Sequence, residues 1–307
     1  MGVSFATDAQ WPALPYDEWK DTYATLHMWM QIVGKIALAK AAPLNQSWGV
    51  AYQVTARGLA TRTLWHGARS FTIEFDFVAH QVVIRVSDGT TRTLPLAPRT
   101  VAAFYAEVMN ALRDLALPVK IWTLPSEVPS PLRFEQDTVH ASYSAEQANR
   151  FWRILVQVER VLTGTRCTFV GKCSPIHFFW GGMDMAVTRF SGRPAPAREG
   201  PAFMREAYSQ EVISHGFWPG TPPTGDPSTF VGDASFYAYA VPEPAGLKEA
   251  KVEPAEAFYH QTIGEFILPY EAVRNSADPD EAIRAFVNST YERAATLGNW
   301  DRRALER

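Results

Sequence analysis

The residues best suited to chemistry gather in Ser174–Arg193, read as SPIHFFWGGMDMAVTRFSGR. One imidazole (His177), one carboxylate (Asp184), one guanidinium (Arg189) and one indole (Trp180) sit there among apolar residues and glycines. Buried ionisable groups need partners, so the set is either a satisfied polar core or a ligand-facing wall. His215, Trp218, Tyr237 and Glu265 follow downstream. His177, Asp184 and His215 are residue types that move protons. Trp180, Trp218, Phe217, Tyr237 and Tyr239 could stack on a flat ligand. Arg189 or Arg193 could hold a carboxylate or phosphate. Glu265, beside Phe266, reads as a buried acid facing a pocket or as an edge-facing carboxylate.

His177, Asp184 and His215, with Glu211, are also ligand types for zinc, iron or manganese. Glu211 and His215 are four positions apart. On a strand that spacing is about 13 Å, at ~3.3 Å per residue, so one ion could not take both. There is no His-x-His or His-Glu-x-x-His signature. Cys167 and Cys173, six apart, build neither a Cys-x-x-Cys nor a zinc knuckle pair and read as free thiols of a reducing cytoplasm. Gly171-Lys172 lacks the glycine spacing of a phosphate loop, and Ser174 and Ser214 lack a nucleophile elbow. His27 reads as a surface or packed histidine and His80 as solvated.

Strands and helices must position these groups. Alternation from Met183 to Phe190 predicts a strand with Met183, Met185 and Val187 on one side and Asp184, Ala186 and Thr188 on the other. Gly181-Gly182 before it suggests a bulge. Earlier, Trp19, Tyr23, Leu26, Met30 and Val33 recur at helical spacing and predict a helix over 16–39. Strands are expected at 50–55, 61–65, 70–78, 81–87 and 91–96, the last two joined by Asp88-Gly89. Thr100 opens a helix bearing Phe104, Val108 and Leu112, and 119–124 reads as another strand. Residues 125–142 are a connector. Ser144 and Gln147 form a capping box for the next helix. A helical turn at 202–208, strands at 211–217, 234–241 and 263–268, and a helix from Asp278 to Gly298 complete the chain, with loops at 193–201, 221–228 and 242–254.

The order helix, strands, helix occurs twice. Pro43 and Trp48 are five apart, as are Pro175 and Trp180, and the pairs are offset by 132. Trp19 and Trp152 are offset by 133, as are Val54-Thr55 and Val187-Thr188. Ala103-Phe104 and Ala285-Phe286 sit at equivalent helices. This predicts an α+β fold of two related halves, 1–130 and 131–307, each an antiparallel sheet with helices on one face. The second half would carry the site, in a cleft.

The chain has 307 residues and a net charge of −3. That length suffices for a core without disulfide or metal staples. No lysine-arginine run supplies an electrostatic footprint for nucleic acid. No run approaches the ~18 apolar residues of a membrane span. The N-terminus has no apolar core segment of a signal peptide and no acylation pattern, so a cytoplasmic protein is expected.

SPIHFFWGGMDMAVTRFSGR, YSQEVISHGFWPG (Tyr208–Gly220) and ILPYEAVR (Ile267–Arg274) together resemble a bacterial family known only as a domain of unknown function. The similarity runs from Trp11-Pro12 to Trp300-Asp301-Arg302. In that family a histidine often precedes the first-half tryptophan, where this chain has Gln46-Ser47. The resemblance implies a soluble bacterial protein and assigns no catalytic residue. The expected role is binding, and transforming where the chemistry allows, a small molecule. The alternatives are a scaffold in which the same residues form a satisfied polar core, and a metal-dependent enzyme.

Overall fold

A computed structural model of the chain describes residues 10–220 and 231–307. The fold is α+β, with two antiparallel sheets of six strands each. The chain forms two compact units. The first comprises Asp17–Val156 and Phe178–Met183. The second comprises the stretch ending at Tyr16, Gln157–His177 and Asp184–Arg307. The division falls between Val156 and Gln157 rather than at the connector near residue 130.

In the first unit, α1 (Tyr16–Lys40) buries Trp19, Tyr23, Leu26, Met30 and Val33, as their spacing requires. The sheet runs β1 (Gln53–Val54), β2 (Gly58–Ala60), β4 (Arg69–Asp76), β5 (Gln81–Val86), β6 (Thr91–Pro95), with β3 (Leu64–His66) paired to β4. Phe71, Ile73 and Phe75 of β4 are buried. So are Glu74 and Asp76, contrary to simple alternation, because Arg85 and Arg57 neutralise them. α2 (Val101–Asp114) is capped by Thr100, whose hydroxyl accepts from the Ala103 amide. Residues 119–124 form no strand. They are bracketed by Pro118 and Pro125, which cannot donate to a ladder.

α3 (Ala145–Arg166) starts after Ser144, whose Oγ accepts from the Gln147 amide. The second sheet has the order β11 (Phe258–His260), β12 (Glu265–Pro269), β10 (Ser235–Val241), β9 (Gln210–Trp218), β8 (Asp184–Pro194), β7 (His177–Phe179). α4 (Ala202–Ala207) is one short turn, α5 (Tyr270–Arg274) follows β12, and α6 (Pro279–Leu297) is capped by Asp278 and ends at Gly298. α7 (Arg302–Leu305) closes the chain. The loop expected at 221–228 lies outside the described residues.

Register sorts the second sheet into two faces. Ala186, Gly216, Tyr237 and Ile267 lie in one row, and Thr188, Ser214 and Tyr239 in the next row of that face. Val187, His215, Ala238 and Phe266 form the row between and point the other way. α6 packs on that second face.

Candidate functional site

Asp184 begins β8 and Tyr237 lies in the middle of β10, with β9 between them. The Tyr237 hydroxyl donates to Asp184 Oδ2 at 2.5 Å. It reaches that far because the intervening row position on β9 is Gly216. A Cβ there would lie 2.3 Å from the Tyr237 hydroxyl oxygen and 2.4 Å from the Met185 carbonyl oxygen. The phenol therefore crosses a strand through the gap left by a missing side chain. Burial, and then the Asp184 carboxyl, push the Tyr237 hydroxyl well above its ordinary value, so it remains a proton donor.

Aromatic rings extend the face. Trp218 stacks on Tyr237 at 4.4 Å between centroids, and Tyr237 lies nearly parallel to Tyr239 at 6.1 Å. The Tyr239 and Tyr208 hydroxyls are 3.1 Å apart, and those of Thr188 and Ser214 are 2.9 Å apart. Trp218 and Tyr239 are half-buried, so the ladder keeps an accessible edge.

Glu265 opens β12 two residues before Ile267 and so shares the face of Tyr237. His260 of β11 is its cross-strand partner. Burial, and then the negative charge of Asp184, push the Glu265 carboxyl up to about 8. Its Oε2 is closed off from solvent without a hydrogen-bond partner among the described residues, and the same holds for His260 Nδ1. A carboxylic acid next to a carboxylate–phenol pair can give up one proton and accept another, the equipment of acid–base chemistry.

The other face holds the remaining expected residues in a different role. Arg189 and His215 are buried. Arg189 Nη2 donates to the Thr165 carbonyl at 3.0 Å, and its guanidinium lies 4.6 Å from the Tyr291 ring centre. His215 Nε2 is 2.9 Å from Thr290 Oγ1, which donates to the Phe286 carbonyl. The hydroxyl proton is therefore committed, and the imidazole donates from Nε2. Nδ1 is then free to face Arg189 Nη1, 3.5 Å away. Burial and the Arg189 charge hold His215 well below its ordinary value, hence neutral. His215 and Arg189 thus belong to a partnered polar core and do not join Asp184 at one site. Strand parity separates them: Asp184 is even-numbered on β8 and Arg189 odd, with no irregularity between them.

His177 is buried at the first residue of β7. Trp180 belongs to the first unit. Its Nε1 donates to the Val50 carbonyl at 3.0 Å, and its ring lies flat against Gly34 of α1. His27 Nε2 lies 2.8 Å from the Gly181 carbonyl and 3.1 Å from that of Trp180, pinning the same turn. Among the described residues no group of three His, Cys, Asp or Glu could hold a metal ion. His177, Asp184 and His215 therefore do not assemble as a ligand set.

The contributors that sequence reasoning missed are Gly216, Tyr208, Ser214 and His260. Gly216 carried a signal, as a lone glycine inside the apolar strand VISHGFW. His260 carried none, being one polar residue in a three-residue strand.

A family model described as a family of unknown function (DUF5996) matches residues 11–307. No curated protein and no solved structure matches the chain at a significant level.

Proposed function

The chain belongs to this family of unknown function, and we propose that it binds a small molecule on the Asp184–Tyr237–Glu265 face of the second sheet. The observation that carries the reading is the phenol of Tyr237 led across Gly216 to the Asp184 carboxyl, beside a second carboxyl whose Oε2 has no partner among the described residues. A core packed only for stability gains nothing from unsatisfied acceptors, each of which costs about 1–3 kcal/mol. A ligand supplying donors recovers that cost. The Trp218–Tyr237–Tyr239 ladder offers it apolar contact beside the polar groups, the usual makeup of a ligand site. The free thiols Cys167 and Cys173 support a reducing, cytoplasmic setting. Among the described residues no helix is long and apolar enough to cross a membrane.

The scaffold reading is favoured by one specific observation on the opposite face, where His215 bridges Arg189 Nη1 and Thr290 Oγ1. Thermal-shift screening of a small-molecule library against wild type and Asp184→Asn separates the two. The ligand reading expects compounds that raise Tm of wild type and leave Asp184→Asn unmoved. A library that protects neither protein, or both equally, speaks for the scaffold.

A further inference from the structure

Resting on the reading just given, we infer that the ligand of this face is an organic ammonium carried next to a ring, whose N–H groups meet Glu265 Oε2 and His260 Nδ1 while its ring packs against Trp218 and Tyr239.

Three observations converge on that class. Glu265 forms no ion pair with Lys, Arg or His among the described residues, so its anion has no resident counter-charge. Two buried atoms of this face, a carboxyl oxygen and an imidazole nitrogen on paired strands, lack partners among the described residues, and both can accept hydrogen bonds. An ammonium carries several donors and one charge, matching both needs. The third observation is the ladder of one indole and two phenols, whose accessible edges suit a ring and whose faces attract cations. An anion would meet two carboxyls. A neutral alcohol would supply one donor and no charge.

Binding is then linked to proton release. The titratable groups of the second unit around Glu265 are Asp184 from β8, Tyr237 and Tyr239 from β10 and His260 from β11 on its own face, and Tyr259 of β11, which is paired with Phe266 on the other. The Tyr259 hydroxyl is itself bonded to Glu243. The tyrosines are held in their neutral forms. A carboxyl titrating near 8 is about 1% ionised at pH 6 and about half ionised at pH 8. An ammonium favours the ionised form and expels the proton.

The test is calorimetric titration of the full chain with phenethylamine, 2-phenylethanol and 3-phenylpropanoate, which share a ring and differ in head group. We expect the amine to bind at least tenfold more tightly than the other two. Its affinity should rise at least tenfold from pH 6 to pH 8 and fall at least tenfold in Glu265→Gln, with circular dichroism confirming the fold. Equal binding of the alcohol, or an affinity flat with pH, overturns the ammonium inference and leaves the small-molecule reading standing. If none of the three binds, the inference falls. The broader reading then survives only if another library compound protects wild type and not Asp184→Asn.

Discussion

The hydroxyl of Tyr237 on β10 reaches Asp184 at the start of β8, 2.5 Å away, by passing over the one residue of β9 that has no side chain. Two strands' width is bridged by a phenol, and the bridge exists only while position 216 is glycine.

Gly216→Ala should therefore cost both stability and ligand binding. The added methyl meets the Met185 backbone as well as the phenol, so rotating Tyr237 alone does not relieve the clash. Overpacking of this kind costs about 1–3 kcal/mol. Thermal denaturation should show a Tm several degrees lower, and compounds that protect wild type should no longer do so. An unchanged Tm with full protection contradicts the crossing.

Tyr237→Phe leaves the ladder and removes one hydroxyl. A hydrogen bond to a charged group is worth about 1.5–3 kcal/mol. We expect a stability loss in that range by urea denaturation, and a smaller loss in an Asp184→Asn background, since the two changes remove one interaction. Strictly additive losses would show that the pair is not coupled.

Glu265 makes stability depend on pH. Its folded value is raised to about 8 from an ordinary 4.5, so the folded chain holds the proton more tightly than the unfolded one. That contribution is complete below pH 4.5 and is lost as pH rises toward 8. Each pH unit across which the two states differ by a whole proton costs about 1.4 kcal/mol. Wild type should lose a few kcal/mol between about pH 5 and pH 8 that Glu265→Gln keeps. Parallel pH profiles for the two proteins contradict the assignment.

His27 acts with the opposite sign. Burial, only partly offset by the Gly181 and Trp180 carbonyls, lowers it to about 4 from 6.5. The unfolded chain takes up the proton first, so stability is present above pH 6.5 and falls as pH drops toward 4. His27→Gln should flatten the acid limb of the denaturation profile. Between pH 4.5 and 6.5 the two groups oppose each other, so the effects are best read in single variants.

Gly34 inverts a familiar rule. Alanine inside a helix usually improves on glycine by about 0.5–1 kcal/mol. In α1 a Cβ at position 34 would lie 2.3 Å from the Trp180 ring. Gly34→Ala should lower Tm instead of raising it, and a rise would show that Trp180 does not rest there.

Much of this fold was legible because periodicity reports burial. The spacing of Trp19, Tyr23, Leu26, Met30 and Val33 specified α1, and Thr100, Ser144 and Asp278 marked helix starts through their caps. The parity of Met183 to Thr188 set Asp184 opposite Met185 and Val187, as observed. The same parity places Arg189 with Val187, and applying it there would have taken Arg189 out of the site. The assembly of the site was less legible. Tyr237, Glu265 and Asp184 lie on three strands, and only register decides that they share a face. Trp180 looked like part of a ligand wall from its neighbours in sequence. Its surroundings are Gly34 and Val50, more than a hundred residues away.

The most direct measurement is native mass spectrometry of freshly purified wild type beside Asp184→Asn, both shown to be folded. Wild type should carry a stoichiometric organic adduct, basic in character, that is absent from Asp184→Asn. An adduct retained in full by Asp184→Asn, or a wild type that carries none and is protected by no compound in the library, would contradict the ligand reading.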